Sequence, residues 1–153
     1  MRAALSVSAS FSASPASASV GLLPLTTERT YPAELATAVA RGAVVVDIRT
    51  SAERTAQGTL PGALAIDSSL LTRRLDPAGS ERLALAVDRD VEWIVVSADG
   101  PAAHRSVAAL QGLGLRRATG LVGGYAAIRT AGLVDAVTRA RHIAEDVARV
   151  TAH

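Results

Sequence analysis

The chain has 153 residues, enough for one domain with a real hydrophobic core, and 49% of them are apolar, which argues against disorder in its body. The basic residues are all arginine, interspersed with Asp and Glu to a net charge of +2; with no basic run or aromatic platform, nucleic acid is an unsuitable partner. The absence of cysteine excludes disulfides, thiolate metal sites and thiol catalysis, and His104, His142 and His153 are too scattered to suggest a metal site.

Residues 1–29 are read as a flexible tail, because serine and alanine dominate the first twenty residues and interrupt every apolar run. Ala16-Ser17-Ala18 superficially suits signal-peptide cleavage, but no clear hydrophobic region precedes it. A cytoplasmic, non-membrane protein is expected, since no apolar run approaches spanning length.

A helix is predicted from Tyr31-Pro32 through Leu35 and Val39 to Gly42, with Thr30 as its N-cap. Ala43 to Asp47 form a strand, with Asp47 and Arg49 at its C-terminal end, where open α/β sheets place ligands. Ser51 starts a short helix that closes at Gly58. Ala63 to Asp67 form another short strand, and Ser68 or Ser69 caps a helix reaching Leu75 before Asp76-Pro77 breaks the chain.

Trp93 to Val96 are aromatic and β-branched without polar interruption, as in a strand buried on both faces. At Ser97 the pattern stops. Gly100 permits a turn and Pro101 suits a first helical position, so a helix follows with the stripe Val107, Leu110, Leu113. Such a strand, tight loop and helix start leave the amides of Ala98, Asp99, Gly100, Ala102 and Ala103, with Pro101 among them, around a small bowl suited to an anion.

A last strand ends near Leu121, and Gly123-Gly124 opens a helix through Ile128 that Gly132 ends. The alternation predicts an α/β domain over residues 30–133, with a mainly parallel five-stranded sheet flanked by helices on both faces. Over residues 134–153, Val134, Val137, Ile143, Val147 and Val150 recur at helical spacing. This amphipathic C-terminal helix is expected to pack on the domain in preference to pairing with a protein partner or a second copy.

Asp47-Ile-Arg49, Gly58-Thr-Leu-Pro-Gly-Ala63, the strand and bowl at 93–103, Leu110-Gln-Gly-Leu-Gly114, and Val122-Gly-Gly-Tyr125 with Ala131-Gly132 occur in order. Together they resemble the rhodanese-like (single-domain sulfurtransferase) family over roughly residues 33–133. In active members a cysteine where the central strand meets the bowl carries sulfane sulfur as a persulfide. The bowl and helix dipole lower its thiol pKa.

The resemblance puts that cysteine on Ser97. A serine hydroxyl cannot form a persulfide, and no other residue supplies a thiolate, so persulfide transfer is excluded on chemical grounds. Thr59 replaces the family's usual His, Ile128 its usual Trp, and Pro101-Ala102-Ala103 removes hydroxyl donors from the rim. The related phosphatases use Cys-x5-Arg; here Ala103 takes the Arg position and Arg105 arrives two residues late.

These departures imply an anion- or small-molecule-binding or regulatory module without a cofactor or metal. The alternative is an enzyme using Ser97, His104 and Asp99 for acid–base or oxyanion chemistry with the loop amides. Asp47, Arg49 and Arg105 are supporting residues, of which Asp47 and Arg49 are expected to tie the first strand's end to its neighbours.

Overall fold

A computed structural model describes residues 28–138. Five parallel strands form one sheet in the order β1-β5-β4-β2-β3: β1 (Arg29–Thr30), β2 (Val44–Asp47), β3 (Leu64–Ala65), β4 (Trp93–Val96) and β5 (Thr119–Leu121). The connections carry α1 (Leu35–Ala40), α2 (Ser51–Gln57), α3 (Leu71–Leu75) and α4 (Pro101–Gly112), and α5 (Gly124–Thr130) and α6 (Val134–Thr138) follow β5. The α/β class, the parallel sheet and the helical layers agree with the sequence pattern.

The continuous apolar run of β4 reflects burial from both sides, since successive side chains of a strand point to opposite faces. Trp93 and Val95 enter one core with Leu71 and Leu75 of α3 and Val107 and Leu110 of α4. Ile94 and Val96 enter the other with Leu35 of α1, Ile128 of α5 and Val137 of α6. Leu113, the expected third member of the α4 stripe, is half-buried against the first core.

Register sets the site. Asp47 lies opposite Val96, and the Ile48 amide donates to the Val96 carbonyl at 2.9 Å, so the ends of β2 and β4 emerge together. Among the described residues no helix is long and apolar enough to cross a membrane.

Local caps differ from expectation in two places. Thr30 is not a helix N-cap: it belongs to β1, and its hydroxyl bonds that of Thr119 across 2.6 Å. A single 3-10 turn (Pro32–Glu34) instead begins after Tyr31, whose amide donates to Glu34 Oε1 at 2.9 Å. Arg29, which the sequence assigns to the tail, likewise lies in β1.

Ser68 and Ser69 do not cap the segment before α3. Asp67 does, its Oδ1 accepting from the Ser69 amide at 2.8 Å, because a carboxylate accepts more strongly than a hydroxyl. The expected tail up to residue 27 and the helix beyond Thr138 lie outside the described residues.

Candidate functional site

The loop between β4 and α4 is built around Ser97. The side chain is 3% exposed, and its Oγ accepts a hydrogen bond from the Gly100 amide at 3.0 Å, closing a tight turn. That turn leaves Gly100 at φ 117°, where an L side chain is strained, and Pro101 at the first helical position, where its missing N–H costs nothing. The His104 amide makes the first α4 bond, to the Gly100 carbonyl at 3.2 Å.

The amides of Ala98, Asp99, Ala102 and Ala103 have no acceptor among the described residues, as expected where a helix begins. The Ser97 hydroxyl proton is also unspent there. Several donors are therefore unspent around this turn, to which the start of α4 adds the positive end of its dipole and the exposed Asp99 carboxylate a negative charge.

The loop is held from behind by α5. Tyr125 and Ala126 amides donate to the Ser97 and Ala98 carbonyls at 2.8 and 3.1 Å. Gly124, at φ 62°, makes this approach possible: a Cβ there would lie 2.8 Å from Ala98 C and Asp99 N. The adjoining Tyr125 ring carries the Arg49 guanidinium at 3.8 Å from its centroid.

Arg49 is wholly buried and paired with Asp47, Nη2 to Oδ2 at 2.8 Å and Nε to Oδ1 at 3.0 Å. Its Nη1 reaches Gln57 Oε1 at 3.3 Å, and the Arg54 guanidinium donates to its carbonyl. Tyr125 Oη completes the brace on the Thr59 carbonyl at 3.4 Å. Asp47, Arg49 and Tyr125 thus lock the ends of β2 and α5 against the loop.

A cleft of about 710 Å³ opens beside the loop, bordered by Ala98, Asp99, Gln57, Tyr125 and Arg129. A model of the rhodanese-like domain matches residues 31–131. The chain belongs to the rhodanese-like domain family. Among curated proteins no sequence matches it.

Solved structures that share this fold include three of low sequence identity. A Rhodopseudomonas palustris protein of unknown function, named as a possible tyrosine phosphatase, is 24% identical with a TM-score of 0.62, covering 71% of this chain and 83% of that one. A rhodanese-related protein from Thermoplasma volcanium gives 22% and 0.54, with 69% and 93% covered. A rhodanese-like domain protein from Staphylococcus aureus gives 21% and 0.51, with 66% and 90% covered.

Within this rhodanese domain, Ser97, Ala98, Asp99, Gly100, Pro101, Ala102 and Ala103 form the expected strand-to-helix turn. His104, Asp99 and Ser97 make no side-chain hydrogen bonds to one another. The His104 imidazole rests on Gly120 of β5, its Nδ1 2.8 Å from where a Cβ would stand, on the sheet face that packs α4. Asp99 is exposed, and Arg105 is exposed on α4 away from the turn.

Gln57, Gly124 and Tyr125 are not among the residues the sequence predicts for the site, although the paired glycines before a lone tyrosine in Val122-Gly-Gly-Tyr125 are a signal of close packing. Gln57 carried no signal, because only the fold brings α2 to Arg49.

Proposed function

We propose that this rhodanese-like domain does not transfer sulfur as a persulfide, and that its 97–103 turn holds a small anion in a binding or regulatory role. The observation that carries the reading is Ser97 at the floor of the turn. A persulfide needs a sulfur nucleophile that accepts sulfane sulfur and releases it again; an alkoxyl oxygen offers neither step, and the chain has no cysteine.

What survives the loss of the thiol is the donor set. The unspent amides of Ala98, Asp99, Ala102 and Ala103, the Ser97 hydroxyl and the start of α4 all favour negative charge. The Asp47–Arg49–Tyr125 brace keeps this set preorganised, so little ordering is required on binding. Thiolate-based phosphoryl transfer is unavailable for the same reason as sulfur transfer.

The test has two arms. Incubation with thiosulfate and cyanide is expected to yield no thiocyanate above background; formation of thiocyanate by the unaltered chain defeats the first half. Sulfate and thiosulfate titrations followed by amide NMR are expected to move the 98–103 amides saturably. Unchanged loop amides defeat the second half.

A further inference from the structure

We infer that the chain carries a second anion site, remote from the 97–103 turn, in the cavity between α1 and the start of β4. This cavity measures about 660 Å³ and shares no lining residue with the cleft beside the loop. Its lining includes four guanidiniums, Arg29, Arg41, Arg116 and Arg117, against two carboxylates, Glu34 and Glu92.

Of the two carboxylates, Glu92 is already committed to guanidiniums. Glu92, 10% exposed, accepts from Arg41 Nε at 2.9 Å and Nη2 at 2.6 Å, and from Arg117 Nη2 at 3.2 Å. One nearly buried carboxylate therefore fixes two guanidiniums, each about half exposed at 51% and 53%, and leaves a positive charge uncompensated. Glu34 Oε1 accepts from the Tyr31 amide. Arg116 is steered by Asp90, 2.9 Å away, and Arg117 Nη1 by the Asp90 carbonyl at 3.1 Å.

A second observation points the same way. Thr30 and Thr119 line the cavity, are 94% and 92% buried on exposures of 6% and 8%, and bond each other through their hydroxyls at 2.6 Å. Two hydroxyls sharing one bond use one proton between them. The other has no acceptor among the described residues, so a buried O–H donor remains to be satisfied.

Guanidiniums held in place and a spare hydroxyl proton make a pocket richer in donors than in acceptors, with Glu92 committed and Glu34 keeping one carboxylate oxygen without a partner among the described residues. Its complement is an acceptor-only ligand: a phosphate- or polycarboxylate-bearing small molecule, met by bidentate guanidinium contacts. The Tyr31 ring, 52% exposed at the cavity edge, offers an apolar wall for the body of such a molecule. None of these residues belongs to the loop, so this site stands or falls independently of the proposed role of Ser97.

The experiment is residue-resolved NMR of the full chain titrated with inorganic pyrophosphate at constant ionic strength, reading backbone amides and Arg Nε–H groups. Saturable shifts are expected at Thr30, Thr119, Arg41 and Arg117. Arg41→Gln and Arg116→Gln, both at exposed side chains, are each expected to weaken this response about tenfold, as loss of a charge-assisted contact implies. Thr119→Val should weaken it while leaving the guanidinium ladder intact.

Responses of the 98–103 amides are expected to be unchanged in all three variants, which separates the two sites. A linear, unsaturable response at Thr30 and Thr119 overturns the inference. So does an affinity that Arg41→Gln and Arg116→Gln leave unaltered.

Discussion

Two glycines with nearly the same backbone offer a controlled test of how α5 shapes the loop. Gly124 has φ 62° and Gly132 φ 69°, so alanine at either position bears the left-handed penalty of about 1–2 kcal/mol. Among the described residues nothing lies within 4 Å of a Cβ added at Gly132. At Gly124 the Cβ would overlap the Ser97 carbonyl oxygen and stand 2.8 Å from Ala98 C and Asp99 N, all main-chain atoms that cannot swing aside. Forcing a methyl into such a contact adds about 1–3 kcal/mol.

Gly132→Ala is therefore expected to cost about 1–2 kcal/mol and Gly124→Ala about 2–5 kcal/mol. At roughly 4 °C per kcal/mol for a domain of this size, their melting temperatures should differ by about 4–12 °C. Thermal unfolding by circular dichroism measures the difference, and urea midpoints provide a second scale. The methyl also pushes α5 away from the loop, so the Tyr125 to Ser97 and Ala126 to Ala98 hydrogen bonds should lose protection from amide exchange. Equal destabilisation of the two variants, with those amides still protected, would refute the claim that main-chain contact at Gly124 holds the turn.

Arg49→Met leaves the Asp47 carboxylate buried without its partner and is expected to cost about 3–5 kcal/mol in urea unfolding, while Asp47→Leu/Arg49→Met recovers most of it. Arg49→Lys should fail to restore the wild-type midpoint, because an ammonium lacks both the fork that grips Asp47 and the plane that lies on Tyr125. Ser97→Ala strips the buried Gly100 amide of its acceptor and should destabilise by about 1–3 kcal/mol, whereas Ser97→Cys should gain one sulfur atom in mass on treatment with thiosulfate. The Asp67 carboxyl is held below the ordinary Asp range chiefly by the Ser69 hydroxyl and then by the Ser69 amide. With the folded value below the unfolded one, its stabilising contribution is complete above the usual Asp pKa near about 3.9 and disappears as pH falls through the folded value. Carbon-detected titration of Ser69→Ala should show the midpoint moving up.

The fold was legible where one residue pattern decides one element. Trp93 to Val96 have no polar residue to turn toward water, which requires helices on both sides of β4, and Gly100-Pro101 marks where the strand must give way to α4. By contrast β1 consists of two residues, Arg29 and Thr30, too few to show any period, and it exists because β5 offers it a paired edge. Thr30 has the chemistry of a cap and sits one residue before a helix-like start. The tertiary partner Thr119 outcompetes the local role, a choice no window around residue 30 contains. At Asp67 the miss was local: the stronger acceptor stood one residue ahead of the two serines.

The same distinction separates the two proposed anion sites. The 97–103 turn is local in sequence: strand end, serine, glycine, proline and helix lie in one run, so its donors can be anticipated from order alone. The arginine cavity is assembled across the fold, with Arg41 and Glu92 fifty-one residues apart and Thr30 and Thr119 eighty-nine apart. In the sequence those residues look like ordinary solvated charges on an arginine-rich chain. Glu92 changes their meaning. A carboxylate that is nearly buried is normally balanced by one guanidinium, and a second one drawn to it leaves excess positive charge next to a hydroxyl pair with a spare proton. If Glu92 served only to neutralise its neighbours, Glu92→Gln would raise the local positive charge and strengthen pyrophosphate binding. Because it also orients them, the same substitution should raise the local positive charge and yet weaken binding, an opposition of sign that bulk electrostatic attraction cannot produce.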